Sequence, residues 1–217
     1  SKRPTGQNQR PRRLTLVILH AMWMTLVMAQ LLVIDTETGG LDPAEHSLLS
    51  IGYVGWNDRT LTGEGEILIR EPVLVVEDEA LNVNGITRKQ IEETGMPPRE
   101  AIQRFEQFAH ATFSSLSETD PLVIAGHNVW FDVAFLKRLY RLAGSEFPPW
   151  LSHRMMDTSS LLQFLRLSGD ERFQSGSADE AFRTFGIPIS DAERHTALGD
   201  ARATASLITC LLNELAK

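Results

Sequence analysis

Two carboxylates spaced two residues apart follow an apolar run in this 217-residue chain. The run is Leu31–Ile34, and Asp35 and Glu37 come directly after it in the sequence IDTE. A continuous apolar run of this kind predicts a central strand that is covered on both faces. Side chains two apart on a strand point to the same face. We therefore expect the two carboxylates to converge at the end of a strand, where open α/β sheets bind their ligands.

The same spacing recurs at Asp191 and Glu193. This second copy follows a serine and precedes a polar turn, so we interpret it as a solvated loop. Short motifs of this kind occur by chance, and the spacing alone does not identify a site.

A third carboxylate, Asp132, lies in the stretch GHNVWFD, which follows a second predicted strand at residues 121–125. Asp132 precedes Phe135 and Leu136 by three and four residues, so on a helix it faces the same side as they do. A carboxylate on the buried side of a helix requires a cation or strong hydrogen-bond donors. The alternative is an aspartate that only stabilises the start of the helix through its dipole.

His195 and Asp200 form a third pattern, HTALGD, at the start of the last predicted helix. Asp200 falls in the first turns of this helix, at the edge of its apolar stripe. The H-x4-D spacing also occurs at His127 and Asp132, so this pair alone leaves a structural role open.

Four of these residues, Asp35, Glu37, Asp132 and Asp200, would together bring about four negative charges into one place. Such a cluster is unstable unless divalent cations neutralise it. Oxygen ligands favour Mg²⁺ or Mn²⁺ over zinc. Two such ions about 4 Å apart are a common arrangement for cleaving a phosphodiester, and a histidine beside them can take a proton from the attacking water.

The rest of the sequence predicts the elements that must position these residues. Strands are predicted at 48–56 and 61–70, joined by a tight turn. Helices are predicted at 98–117, 129–143, 158–167, 177–188 and 196–215. This order indicates an α/β fold with one mixed sheet flanked by helices.

The net charge of -7 is distributed unevenly along the chain. Residues 1–13 contain five of the 21 Lys and Arg residues and no acid, which leaves 16 cations against 28 acids in the rest. Nucleic-acid binders usually carry a basic domain. If the acidic remainder of the chain binds nucleic acid, this binding must therefore depend on a local site or on metal ions.

Residues 1–29 combine the basic tail with an apolar segment, and residues 30–217 form the predicted domain. The segment resembles a signal peptide or a short membrane anchor. The strand at Leu31–Ile34 cannot also lie in a bilayer, however, so we interpret residues 1–29 as a dispensable extension. We expect protein beginning at Met24 to be folded and active, without stable membrane association. The single cysteine, Cys210, fits a cytoplasmic location because it allows no internal disulfide.

The three motifs IDTETGG, GHNVWFD and HTALGD resemble, in this order, those of the DEDDh (DnaQ-like) 3′–5′ exonucleases. This family includes the proofreading epsilon subunit of bacterial DNA polymerase III, ribonuclease T and oligoribonuclease. The resemblance extends over about residues 30–215 and includes ALNVNGIT (80–87), which matches the family's segment lining the terminal-nucleotide pocket. It implies a ribonuclease-H-like fold.

The resemblance also implies a role for each motif residue. Asp35 is expected to bridge two Mg²⁺ ions, which Mn²⁺ can replace. Glu37 and Asp200 are expected to help hold the ion that activates water, and Asp132 to act on the ions directly or through water. His195 is expected to be the general base.

Five further residues are assigned to the substrate: Thr36, Leu41, Asn84, His127 and Asn128. Proofreading subunits often carry histidine where this chain has Asn84, so the choice between DNA and RNA stays open. For His127, a role in the core is equally compatible with the sequence.

The expected function is a metal-dependent 3′–5′ exonuclease that acts on nucleic-acid 3′ ends, with DNA slightly favoured, and releases nucleoside 5′-monophosphates. The alternatives are an RNA-trimming exoribonuclease of the same chemistry and a non-catalytic binding subunit associated with a DNA polymerase.

Overall fold

The computed structural model describes residues 29–114 and 116–216 of the chain. Its strands are β1 (Gln30–Thr38), β2 (Leu48–Asn57), β3 (Thr60–Leu68), β4 (Leu122–Gly126) and β5 (Leu151–Asp157). They form one sheet in the order β3-β2-β1-β4-β5. β1 and β3 each pair antiparallel with β2, whereas β4 is parallel to both β1 and β5.

Helices cover both faces of this sheet. In the described residues they are α1 (Asp78–Asn84), α2 (Arg88–Thr94), α3 (Pro98–Thr112), α4 (Trp130–Leu142), α5 (Thr158–Leu167), α6 (Ala178–Thr184) and α7 (Ala197–Leu215). The mixed sheet flanked by helices confirms the predicted α/β fold class.

Strand β1 lies in the centre of the sheet and contributes to both of its faces. Leu32 and Ile34 pack into the core beneath α3 and α4, whereas Leu31 and Val33 pack against α7. All four side chains are buried. The continuous apolar run is thus explained by burial on both faces, since alternate residues of a strand point in opposite directions.

A close contact brings the start of α7 against the sheet beside Asp35. Gly52 on β2 pairs with Asp35 in the antiparallel register. A Cβ atom at Gly52 would lie 2.2 Å from the carbonyl carbon and oxygen of Ala197, the first residue of α7. Only glycine leaves room for this approach. The contact places the N-terminal turn of α7, with Asp200, next to the end of β1.

Three elements were not anticipated from the sequence. β5 contains the exposed residues His153, Arg154 and Met155 and lies at the edge of the sheet, so it lacks an apolar run. Helices α1 and α2 have seven residues each, which is too short for a clear helical period. α2 is stabilised at its start by a capping box between Thr87 and Gln90. The predicted helix at 98–117 ends earlier, at Thr112.

The interpretation of residues 1–29 as a dispensable extension concerns a segment that lies almost entirely outside the described residues. In the part of the chain that the structure does describe, no helix has the length and apolar character needed to cross a membrane.

Candidate active site

Three carboxylates meet at the end of β1. Asp35, Glu37 and Asp200 each present an oxygen, and these oxygens all lie within 4.8 Å of one another. Asp35 and Glu37 share a face of β1 because they are two residues apart. Asp200 is held in the first turn of α7, where the hydroxyl of Thr196 accepts a hydrogen bond from the backbone N–H of Gly199 at 3.1 Å. The predicted convergence of these three residues is therefore observed.

Asp132 approaches the same strand from its other face. Its Oδ1 accepts a hydrogen bond of 2.7 Å from the hydroxyl of Thr36, and its side chain is buried on α4. Thr36 points away from Asp35 and Glu37 because successive strand residues alternate. Asp132 thus lies outside the group of three, although its charge still acts on Asp35. Its role as a metal ligand stays a prediction.

The hydroxyl of Thr36 has an intramolecular partner, since it is buried and donates to Asp132. A contact between Thr36 and a substrate stays a prediction.

Burial and mutual repulsion favour the protonated forms of these acids. Burial is the largest cause of the raised pKa of Asp35, followed by the charges of Asp132, Asp200 and Glu37. Burial, followed by the charge of Asp200, raises the pKa of Glu37 to about 8. Burial also raises the pKa of Asp132 to about 7 and shifts the pKa of Asp200 upward. The cluster therefore carries a free-energy penalty when it is fully ionised.

The donor set fits a divalent cation. The three adjoining carboxylates offer only oxygen atoms, which hard cations such as Mg²⁺ and Mn²⁺ prefer. Oδ1 of Asp200 is buried and has no hydrogen-bond partner among the described residues, and a cation would supply one. Asp35, Glu37 and Asp200 are the residues that would hold it.

The pKa of Glu37 predicts a pH-dependent stability. In EDTA, folded protein keeps a proton on Glu37 that the unfolded chain has released, between about pH 4.5 and pH 8. The free energy of unfolding should therefore fall as pH rises through this window. Glu37→Gln removes this contribution, so its stability relative to wild type should grow by a few kcal/mol from pH 5 to pH 8.

Urea unfolding of the two proteins at both pH values, in EDTA, measures this difference. Saturating Mn²⁺ should stabilise the wild type more than Glu37→Gln at pH 8. A difference between the two proteins that stays constant or shrinks with rising pH would contradict the assigned shift.

The loop before α7 places His195 beside Asp200. The backbone of His195 is left-handed, with φ of 63°, and its N–H donates to Oδ2 of Asp200 at 3.3 Å. Its side chain is exposed to solvent. An exposed imidazole next to the carboxylate cluster can exchange protons with a water molecule, and the role of His195 as general base stays a prediction.

Arg194 is a residue of this site that the sequence reasoning missed. It forms ion pairs with both Asp200 and Asp179, and its positive charge opposes the upward pKa shifts of Asp35 and Glu37. The sequence feature that could have pointed to Arg194 is its position directly before the H-x4-D pattern of His195 and Asp200.

The GHN sequence forms a hydrogen-bonded turn between β4 and α4. The hydroxyl of Thr158 donates to the carbonyl of Gly126 at 3.1 Å, so it accepts from Nδ1–H of His127 at 3.0 Å. Burial lowers the pKa of His127, which favours the neutral ring with Nε2 as an acceptor. Asn128 has a φ of 65°, and its N–H donates to Asp157 at 2.7 Å. A substrate contact by either residue stays a prediction.

An open groove of about 280 Å³ is lined by Glu37, Leu41 and Asn84, among other residues. Leu41 is 81% exposed, whereas Asn84 is buried and its Oδ1 accepts from the N–H of Ile86 at 2.9 Å. The structure thus brings these two predicted substrate residues to one groove next to the carboxylates. Their contact with a nucleotide stays a prediction.

A family model described as an exonuclease matches residues 32–208 of the chain. The chain therefore belongs to this exonuclease family. The resemblance to the DEDDh exonucleases is confirmed, and so is the prediction that the protein is an enzyme of the exonuclease class.

Two curated relatives agree with this assignment. The chain is 32% identical over 185 residues to the DNA polymerase III subunit epsilon-like protein of Rhodobacter capsulatus, a match that covers 84% of the chain and 24% of that relative. It is 29% identical over 192 residues to ribonuclease T of Marinobacter nauticus, which covers 83% of the chain and 81% of that relative. The chain thus spans a minor part of the first protein and most of the second.

The fold also matches a solved structure, the nuclease domain of 3′hExo, a DEDDh family member, bound to rAMP. The TM-score is 0.69 at 14% sequence identity, and the match covers 87% of the chain and 94% of that domain. At this identity the likeness shows a shared fold, and the predicted ribonuclease-H-like sheet is confirmed.

Proposed function

We propose that the protein is a metal-dependent 3′–5′ exonuclease that hydrolyses terminal phosphodiesters of nucleic acid, with DNA slightly favoured, to nucleoside 5′-monophosphates. One observation carries the proposal: Asp35, Glu37 and Asp200 converge at the end of β1 in a chain of the exonuclease family. Asp132 lies across the same strand end and His195 adjoins Asp200. These five residues are the ones that the family motifs mark.

In this mechanism Asp35, Glu37, Asp132 and Asp200 would hold two Mg²⁺ ions, and Mn²⁺ could substitute for them. When bound, such ions lower the pKa of water and stabilise charge on the attacking and leaving oxygens. His195 accepts the proton of the attacking water. The new P–O bond forms from the water oxygen while the bond to the 3′ oxygen of the preceding nucleotide breaks. The departing 3′ oxygen takes a proton from solvent, so the shortened strand ends in a 3′ hydroxyl and the released nucleotide keeps the 5′-phosphate.

The groove between Leu41 and Asn84 would receive the terminal nucleotide. Glu37 is one of the residues that line it, so a sugar and base placed there would bring the terminal phosphodiester next to the carboxylates. The exposed side chain of Leu41 can pack against the base. The small volume favours one terminal nucleotide over a long duplex segment.

An RNA-trimming exoribonuclease of the same chemistry is the second candidate. One relative that matches over most of both chains is named ribonuclease T, and Asn84 at the groove leaves the sugar contacts unassigned. Another relative is an epsilon-like protein of DNA polymerase III. This likeness supports DNA as the substrate, and we propose a DNA polymerase as a partner. We further propose that residues 30–217 act in the cytoplasm and do not need residues 1–29.

The test uses purified protein and single-stranded DNA, mismatched duplex DNA and RNA of matched sequence, each with Mg²⁺. Strands labelled at the 5′ end should shorten progressively, and the released product should be the 5′-monophosphate. A 3′-phosphate should block the reaction, since the site is proposed to accept a free 3′ hydroxyl. DNA should be degraded slightly faster than RNA.

Three results would change this assignment. Release from the 5′ end would refute the proposed polarity. A strong preference for RNA would establish the second candidate instead. Tight polymerase binding without hydrolysis of any substrate, in either Mg²⁺ or Mn²⁺, would support the non-catalytic subunit.

A further inference from the structure

Arg194 connects three parts of the molecule. Its Nε donates to Oδ1 of Asp179 on α6 at 2.7 Å, and its Nη1 pairs with Oδ2 of Asp200 on α7. The centre of the guanidinium lies 5.7 Å from the centroid of the Phe182 ring. The planar fork of arginine suits simultaneous contact with carboxylates and an aromatic face. Only 21% of this side chain is exposed, so the contacts are largely shielded from water.

The two carboxylate oxygens of Asp200 have different surroundings. Oδ2 accepts from the guanidinium of Arg194 and from the backbone N–H of His195. Oδ1 is buried and has no hydrogen-bond partner among the described residues. Rotation of the carboxylate would break both bonds to Oδ2. The protein therefore leaves Oδ1 as the oxygen of Asp200 that a ligand can use.

We propose that Arg194 is a positioning residue for the carboxylate cluster, which holds Oδ2 of Asp200 so that Oδ1 faces a divalent cation and the backbone of His195 stays fixed. The inference rests on the proposed function, in which Asp200 binds the cation and His195 is the general base. Asp179 is the outer anchor, because it holds Nε of Arg194 from a separate helix. Residues that orient metal ligands commonly set metal affinity in this way.

The direction in which cation affinity changes when Arg194 is removed distinguishes a positioning role from competition with the cation. If Arg194 merely competed with the cation for Asp200, its removal would tighten cation binding, since a positive charge would be lost. If it positions Asp200, its removal should weaken cation binding by about 10–100-fold, the usual effect of losing such a partner.

The experiment measures Mn²⁺ binding to the full chain by calorimetry, without nucleic acid, for the wild type, Arg194→Ala, Arg194→Lys and Asp179→Asn. Arg172→Ala is the matched control. Arg172 also pairs with two carboxylates, those of Asp170 and Glu214, and also lies over aromatic rings, but these contacts do not involve the cluster.

The dissociation constant for Mn²⁺ should rise about 10–100-fold in Arg194→Ala. Arg194→Lys keeps the charge but loses the fork, so it should fall between Arg194→Ala and the wild type. Asp179→Asn should weaken binding less than Arg194→Ala, and Arg172→Ala should leave it unchanged. With substrate and saturating Mn²⁺, the loss in Arg194→Ala should appear in kcat rather than KM.

Circular dichroism checks that each variant is folded. If Arg194→Ala does not fold, Mn²⁺ binding by Asp179→Asn tests the inference instead, because this variant keeps Arg194 and all the proposed ligands. Unchanged or tighter Mn²⁺ binding in the folded Arg194→Ala protein, or unchanged binding in Asp179→Asn where only that variant folds, would overturn the inference. A wild type that binds Mn²⁺ but releases no nucleotide would instead refute the proposed function, so the two failures are distinct.

Discussion

Replacing Asp35 by alanine is expected to abolish nuclease activity while the protein stays folded. Asp35 is the carboxylate on which the charges of Glu37, Asp132 and Asp200 all act, and it is the proposed shared ligand of both cations. Its loss should reduce the cleavage rate by more than about 10³-fold, the upper range for removing one group that stabilises transition-state charge. The fold should tolerate the change, because the mutation removes a buried acid from a repulsive cluster.

Initial rates on labelled single-stranded DNA in Mg²⁺ and in Mn²⁺ measure this loss, and thermal unfolding in EDTA checks the fold. Asp200→Ala should behave in the same way. Asp191→Ala is the matched control, since Asp191 shares the D-x-E spacing but lies exposed in a loop, and it should keep the wild-type rate. EDTA should stop the wild-type reaction and added Mn²⁺ should restore it. Robust cleavage by Asp35→Ala in EDTA would refute the metal mechanism.

The carboxylate group was predictable because each member follows a strong local signal. The apolar run at Leu31–Ile34 specifies a buried strand whatever the tertiary context, and Asp35 and Glu37 come at its end. Asp200 lies in the first turn of the longest helix in the described residues, whose apolar stripe is clear. The motifs thus placed Asp35 and Glu37 at a strand end and Asp200 at a helix start, and the close contact between Gly52 and Ala197 brings these two places together.

The position of Asp132 was only partly predictable. Its burial follows from the helical period it shares with Phe135 and Leu136, and all three are buried. The sequence does not predict which face of β1 its helix packs against. A strand presents side chains on two opposite faces, and tertiary packing decides which of them the helix covers. The structure bonds Asp132 to Thr36, outside the group of three, yet its charge is the first of the neighbouring charges that raise the pKa of Asp35.

Arg194 and β5 were missed for a related reason. The importance of Arg194 depends on Asp179, which lies 15 residues earlier on a different helix, and no local pattern links them. β5 is an edge strand with exposed residues, so its sequence lacks an apolar run, and only its pairing with β4 in the folded protein identifies it as a strand. Asp157, at its end, also caps α5 by accepting from the N–H of Ser159.

Replacing His195 by alanine is the second change with a large expected effect. The structure places this exposed residue next to Asp200 and fixes its backbone through the bond to Oδ2. Loss of a general base typically reduces a rate by about 10²–10⁴-fold, and we expect a loss in this range at saturating Mg²⁺. The effect should appear in kcat, because the carboxylates that would hold the cations remain in place.

The pH dependence of the rate tests the general-base role of His195 more specifically than the size of the rate loss does. An imidazole accepts a proton only when it is neutral, and histidine changes charge near neutral pH. The wild-type rate should therefore climb through the near-neutral range. The carboxyl groups with raised pKa values also titrate there when no cation is bound, so the profiles must be recorded at saturating Mg²⁺.

Rates recorded between about pH 5 and pH 8, where histidine side chains in general change charge, should rise with pH in the wild type and stay nearly flat in His195→Ala. Added imidazole should recover part of the rate of His195→Ala, since a free base can occupy the space that the side chain leaves. His153→Ala is the matched control, because His153 is also exposed but lies on the edge strand β5, and it should match the wild type. A His195→Ala enzyme with the wild-type rate and pH profile would exclude the general-base role. The next proton acceptor to test would then be His127, whose Nδ1–H donates to Thr158 and leaves Nε2 as the acceptor atom of the ring.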